Sequence, residues 1–141
     1  MSVTSTAHTS WSGSLFEGSG TVGFDSSGIG SFDVNWKARS EGSSSVTTPE
    51  ELIAAAHSSC YSMAFSNALA QNGTPPTSLT TTAKVSFVPG TGITGSHLEV
   101  EAVVPGLDAE TFAQLAEGAK TGCPVSQALA GIEITLDARL A

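Results

Sequence analysis

The chain has 141 residues and carries thirteen acidic side chains against five basic ones, for a formal net charge of −8. That balance argues against nucleic acid as a partner, because a phosphate-binding surface needs clustered Lys and Arg, whereas Lys37, Arg39, Lys84, Lys120 and Arg139 are scattered. No apolar run approaches the roughly 20 residues that span a bilayer, and the length suits one domain, residues 1–141, with a real core.

Met1 to His8 lack the basic region and the apolar core of a signal peptide, so a cytoplasmic location is the expectation. The first third of the chain reads as β structure broken by turns. Candidate strands span Trp11 to Phe16, Thr21 to Asp25 and Ser31 to Ala38, separated by Gly18-Ser-Gly20 and Ser26-Ser-Gly28-Ile-Gly30. In the third, Phe32, Val34 and Trp36 alternate with Asp33, Asn35 and Lys37, the period of a half-buried strand. Such a strand delivers Arg39 to its end, and the polar run Ser40 to Thr47 then reads as a mobile loop rather than a domain linker.

A helix start follows. Thr48 is an N-cap candidate, Pro49 suits the first helical position, and Glu51 stands at the capping-box spacing from Thr48. Glu50 has no such structural task. The helix is expected from about Pro49 to Gln71, stopped by Asn72-Gly73. Leu52, Ala56, Cys60, Met63 and Phe65 to Ala68 fall on or near one Ala-rich stripe that admits close packing. Cys60 lies two turns or more inside this helix, beyond the reach of its dipole. A reactive thiol there needs a charged neighbour from elsewhere in the fold.

Gly73-Thr-Pro-Pro76 turns the chain into a strand from Ser78 to Val88, and Pro89-Gly-Thr-Gly92 turns it back into Ser96 to Val104. Leu98, Val100 and Ala102 on one face oppose Glu99 and Glu101 on the other, which predicts an antiparallel hairpin with one wet face. Asp108 caps a second helix from Ala109 to about Lys120, which Thr121-Gly122 ends. Pro124 opens a short helix through about Ala130 with Cys123 at its N-cap, where exposed N–H groups favour a thiolate. A last strand, Ile132 to Leu140, turns Ile132, Ile134 and Leu136 inward. The order βββ-α-ββ-αα-β indicates an α+β fold.

Two cysteines in a reducing compartment rarely form a permanent staple. Three readings stay open on the residues alone: buried inert thiols, metal ligands, or a redox pair. His57 and Cys60 are an i, i+3 pair that Cys123 could join around zinc, but no fourth ligand is evident and no CxxC occurs.

Thr48-Pro-Glu-Glu-Leu-Ile-Ala-Ala-Ala-His-Ser-Ser-Cys60 and Gly122-Cys-Pro-Val-Ser-Gln127 together resemble the OsmC/Ohr family of hydroperoxide reductases. The two cysteines come in the family's order, 63 residues apart, and the likeness extends to Trp36-Lys-Ala-Arg39, the hairpin and Val104-Pro-Gly-Leu-Asp108. His57 and the longer N-terminal region look more like the OsmC branch than the Ohr branch. The resemblance implies an OsmC-like fold, with strands flanking a long central helix, in an intertwined homodimer with two sites at the subunit interface. It implies Cys60 as the peroxidatic thiol, Cys123 as the resolving thiol, and Arg39 and Glu50 as the site's arginine and glutamate. It further implies reduction of organic hydroperoxides, and more weakly of hydrogen peroxide, without haem, flavin or metal. Regeneration then falls to a small dithiol or a lipoylated protein.

The chemistry of these residue types agrees. A free thiol has a pKa of about 8.5, so only a few per cent is nucleophilic at neutral pH. An arginine beside Cys60 lowers that value, and Glu50 can hold the guanidinium by a bidentate contact. Glu50 and Cys60 are ten positions apart, roughly 15 Å of helix rise, so two such helices packed antiparallel across a two-fold axis would bring Glu50 of one subunit toward Cys60 of the other. Glu50 and Arg39 are therefore expected to serve the partner's cysteines. His57 is assigned to packing or an interface. Met63, Leu52, Ile53 and Phe65 fit an apolar channel for a substrate's alkyl chain and an ordinary core equally well. The alternative function is a stress-induced protein that binds an apolar ligand while its cysteines stay passive; a thiol–disulfide exchanger is a third, weakened by the absence of CxxC.

Overall fold

The computed structural model describes residues 1–141, which fall into two compact units, residues 1–49 and residues 50–141. Strands and helices are both present in quantity, an α+β fold as expected. No helix is long and apolar enough to cross a membrane.

In the first unit, strands β1 (Ala7–Ser12), β2 (Ser19–Phe24) and β3 (Ser31–Val34) form an antiparallel sheet in that order. The first strand lies earlier than the expected Trp11 to Phe16, because its register is set by pairing from Ala7 opposite Phe24 to Ser12 opposite Ser19. Residues 14–18 make the turn, closed by Gly18 N–H donating to the Ser14 carbonyl at 2.8 Å. The third strand is shorter than expected. Asn35 ends it as an N-cap, its side-chain oxygen accepting from the Ala38 amide at 2.8 Å, and helix α1 (Trp36–Glu41) follows. Arg39 therefore sits in the last turn of a short helix, not at the end of a strand. An Asn side chain that satisfies a helix N-terminus outweighs the strand-like alternation around it.

In the second unit, helix α2 (Pro49–Gln71, its proline contributed by the first unit) has the expected bounds. Strand β4 (Ser78–Val88) pairs antiparallel with β5 (Gly92–Val103), which pairs in parallel with β6 (Glu133–Leu140). A parallel neighbour needs a crossover, and helices α3 (Ala109–Gly122) and α4 (Pro124–Ala128) supply it. The inward row of the sheet is Leu98, Val100 and Ala102 on β5, flanked by Leu79 and Ala83 on β4 and by Ile134, Leu136 and Ala138 on β6. Lys84, Glu99, Glu101 and Arg139 occupy the wet face, paired as Lys84–Glu99 and Arg139–Glu101.

The buried stripe of α2 is His57, Tyr61, Phe65 and Leu69, one residue every four. Of the expected stripe through Leu52, Ala56, Cys60, Met63 and Phe65 to Ala68, Phe65 is buried, but Cys60 is half-buried at the edge and Met63 is 71% exposed. Small and apolar residues surround this helix on all sides, so periodicity did not select a face; the aromatic pair did. Phe65 packs between Tyr61 and Phe112, with ring centroids 5.6 and 5.5 Å away, and the Tyr61 hydroxyl donates to the Ala116 carbonyl at 2.9 Å. Each fully buried aromatic contributes about 2–3 kcal/mol of apolar burial, so α2 is fixed firmly against α3 and the sheet.

Candidate active site

Gly122-Cys123-Pro124 explains how the second cysteine is placed. A proline disfavours helical backbone in the residue before it, and Cys123 is extended at φ −62, ψ 123. It thereby ends α3 two residues later than the expected Lys120, its N–H still donating to the Ala119 carbonyl at 2.9 Å, while its own carbonyl accepts from Gln127 at 3.0 Å to start α4. The side chain is fully buried between the two helices.

Its sulfur meets Cys60. The two Sγ atoms are 3.1 Å apart across 63 residues of chain, and both thiols are free. Cys60 is partly open to solvent and Cys123 is not. Burial pushes the Cys60 thiol up, opposed by the Val125 amide, and the adjoining Cys123 raises it further. At Cys123 burial acts in the same sense, but the Ser126 amide, the Cys60 thiol, the Ser126 hydroxyl and the Val125 amide outweigh it and hold the value below that of an ordinary thiol. Within residues 50–141 these neighbours favour the thiolate on Cys123 over one on Cys60. The N-terminus of α4 thus acts on both sulfurs.

Beside the pair lies a polar knot not anticipated from the sequence. His57 is fully enclosed, with Nδ1 2.7 Å from Ser96 Oγ and Nε2 2.8 Å from Ser126 Oγ. It ties α2 to β5 and α4, and burial holds the imidazole below its ordinary pKa, so it is neutral. Weighed earlier as a zinc ligand, it turns both nitrogens to serine hydroxyls instead. The legible signal was Ser96, a polar residue in the otherwise apolar inward row Leu98, Val100, Ala102. No buried side-chain nitrogen or oxygen lacks a hydrogen-bond partner.

Of the four residues singled out, Cys60 and Cys123 are brought together. Glu50 is buried in the first turn of α2, ten positions before Cys60 on the same helix, and Arg39 belongs to the unit of residues 1–49.

A family model for OsmC-like proteins matches residues 40–137. The chain is 46% identical over 133 residues to Peroxiredoxin OsmC of Escherichia coli K12, covering 92% of each chain. Among solved structures it is similar to an organic hydroperoxide resistance protein from Elizabethkingia anophelis, 28% identical with a TM-score of 0.71 over the whole of both chains. An OsmC-like protein from Mycoplasma pneumoniae, 15% identical, shares the fold with a TM-score of 0.73 over 100% of this chain and 99% of its own.

Proposed function

The chain belongs to the OsmC-like family, and from that membership we propose that it is a thiol-dependent peroxidase that reduces organic hydroperoxides, and hydrogen peroxide more weakly, to alcohols or water. The observation that carries this reading is the 3.1 Å contact between Cys60 and Cys123. An unstrained disulfide has its sulfurs about 2.05 Å apart, so a movement of about 1 Å closes the bond.

Cys60 is the peroxidatic thiol because a hydroperoxide must reach the sulfur it oxidises, and of the pair only Cys60 is open to solvent. Its thiolate attacks one oxygen of the peroxide bond. That bond breaks, the departing alkoxide takes a proton from solvent and leaves as the alcohol, and Cys60 becomes a sulfenic acid. Cys123 attacks the Cys60 sulfur; the S–S bond forms, the S–O bond breaks, and the proton of the Cys123 thiol leaves with the hydroxyl as water. A dithiol, small or carried as a lipoyl group on a protein, then reduces the disulfide by exchange.

Burial works against ionisation at Cys60, so the first step needs a cation. Arg39 is assigned to supply it and to draw the thiolate from Cys123 to Cys60, with Glu50 orienting the guanidinium. These two groups act on the cysteines of the partner in an intertwined homodimer. The exposed Met63 on α2 and the small residues Ala64, Ala68, Gly118 and Gly122, which line a groove between α2 and α3, fit close approach of a second copy. The whole of residues 1–141 acts as one domain of the cytoplasm in this reading, with no haem, flavin or metal.

Stopped-flow consumption of cumene hydroperoxide and of hydrogen peroxide, coupled to lipoamide turnover, tests the proposal. Faster turnover of the organic peroxide and complete loss in Cys60→Ser are expected. Peroxide consumption that survives Cys60→Ser would remove the reading.

A further inference from the structure

The mechanism above leaves one buried titratable group unused. His57 is completely enclosed, yet both its nitrogens are engaged by hydroxyls, and one of those hydroxyls belongs to Ser126, three residues after the resolving cysteine. Ser126 lies in the first turn of α4, the helix that Cys123 N-caps, and its hydroxyl is among the groups that hold the Cys123 thiol below its ordinary value. Ser96 Oγ, Nδ1, Nε2 and Ser126 Oγ therefore form a continuous hydrogen-bonded row that ends three residues along the chain from the buried Cys123 thiol.

A neutral imidazole donates from one nitrogen and accepts at the other, which leaves two arrangements. With the proton on Nδ1, the ring donates to Ser96, and Ser126 turns its own proton to Nε2. The Ser126 oxygen can then only accept, which suits a protonated Cys123. With the proton on Nε2, the ring donates to Ser126 Oγ, and the Ser126 hydroxyl proton is free to face a Cys123 thiolate. Which nitrogen carries the proton thus decides whether the row supports the thiol or the thiolate.

We propose that His57 and Ser126 are positioning residues for the resolving step: the Nε2–H of His57 orients the Ser126 hydroxyl so that it donates to the Cys123 sulfur as that sulfur attacks the Cys60 sulfenic acid. The inference rests on the peroxidase reading for the identity of the step and on the geometry alone for the row. Both His57 nitrogens are taken by serine hydroxyls, so it acts through Ser126. A buried hydroxyl with no orienting partner could rotate away from the sulfur, and His57 removes that freedom. The other titratable groups around Cys123 are Cys60 and Tyr61 on α2. Tyr61 donates to Ala116, and burial with the nearby Glu117 on α3 raises it far enough to stay neutral.

The test separates this inference from the peroxidase reading. In the Cys60→Ser background Cys123 is the remaining cysteine, and its ionisation can be followed by ultraviolet thiolate absorbance against pH with no peroxide present. Ser126→Ala and His57→Gln should each move the midpoint to higher pH, and Ser126→Thr, which keeps the hydroxyl, should restore it. In the presence of Cys60, single-turnover oxidation should show the disulfide-forming phase slowed about tenfold relative to the sulfenic-acid phase at neutral pH, the factor expected for one hydrogen bond to a charged group. An unmoved midpoint in folded Ser126→Ala, or the two phases slowing by the same factor, would overturn the proposal. Absence of both phases in the parent protein would instead count against the peroxidase reading, and the absorbance titration would still decide this one.

Discussion

Oxidation by hydroperoxide should make this protein markedly harder to unfold. Joining Cys60 to Cys123 closes a loop of 63 residues, and in the chain-entropy account a loop of that length removes enough freedom from the unfolded chain to stabilise the native state by about 4 kcal/mol. The cost on the native side is small, since the sulfurs already stand 3.1 Å apart on helices fixed by the Tyr61–Phe65–Phe112 cluster. For a chain of this length each kcal/mol raises the unfolding midpoint by about 2–4 °C, which gives an increase of about 10 °C. By linkage the native fold favours the disulfide by the same amount over the unfolded chain, equivalent to about 90 mV of reduction potential. Calorimetric scans of the reduced protein, of protein treated with one equivalent of cumene hydroperoxide, and of Cys123→Ser treated identically would measure it. The oxidised parent should melt higher, the variant should not, and a dithiol should reverse the shift. An oxidised parent that melts at or below the reduced protein would refute the argument that the native fold presents the two thiols ready to join.

Phe65→Ala removes a fully buried ring between two others and should lower unfolding free energy by about 3–5 kcal/mol in urea titrations under reducing conditions; a loss below 1 kcal/mol would show that the ring is not central to the core. His57 has a folded pKa below its ordinary value, so the unfolded state binds more protons near pH 6 and stability should rise with pH there. As pH falls from about 6.5 the parent should therefore lose stability until His57 protonates in the native state as well, and His57→Gln should flatten that slope; parallel curves for the two proteins would contradict the assignment. Arg39→Met should slow sulfenic-acid formation at neutral pH by about tenfold or more, with recovery at higher pH as Cys60 ionises unaided, and an unchanged pH–rate profile would remove Arg39 from the site.

Much of this was legible in the sequence, and for local reasons. Pro49 and Asn72-Gly73 bracket α2, Asp108 caps α3 by accepting from the Thr111 amide at 2.9 Å, and the alternation in β4, β5 and β6 states which face is wet. These are signals a few residues long. What was missed depends on partners distant in the chain. The placement of β1 follows from its register with β2 and not from its own mostly polar, exposed residues. Asn35 fits a strand by its place in the alternation and a cap by its chemistry, and the cap prevailed. The union of His57 with Ser96 and Ser126, 39 and 69 residues away, depends on tertiary packing that no local pattern announces. The family motifs pointed to Cys60 and Cys123 together; the 3.1 Å between them came from the fold.

The account stands most directly on what happens to two thiols when one peroxide arrives. Reduced protein, freed of dithiol under anaerobic conditions, should be given one equivalent of cumene hydroperoxide per chain, and its thiols counted and its intact mass and linked peptides determined by mass spectrometry. Loss of both thiols from each chain, a mass lower by two hydrogens, and a single peptide pair joining Cys60 to Cys123 within one chain are the results predicted. Retention of both thiols with the peroxide unspent, or a bridge formed only between separate chains, would contradict it.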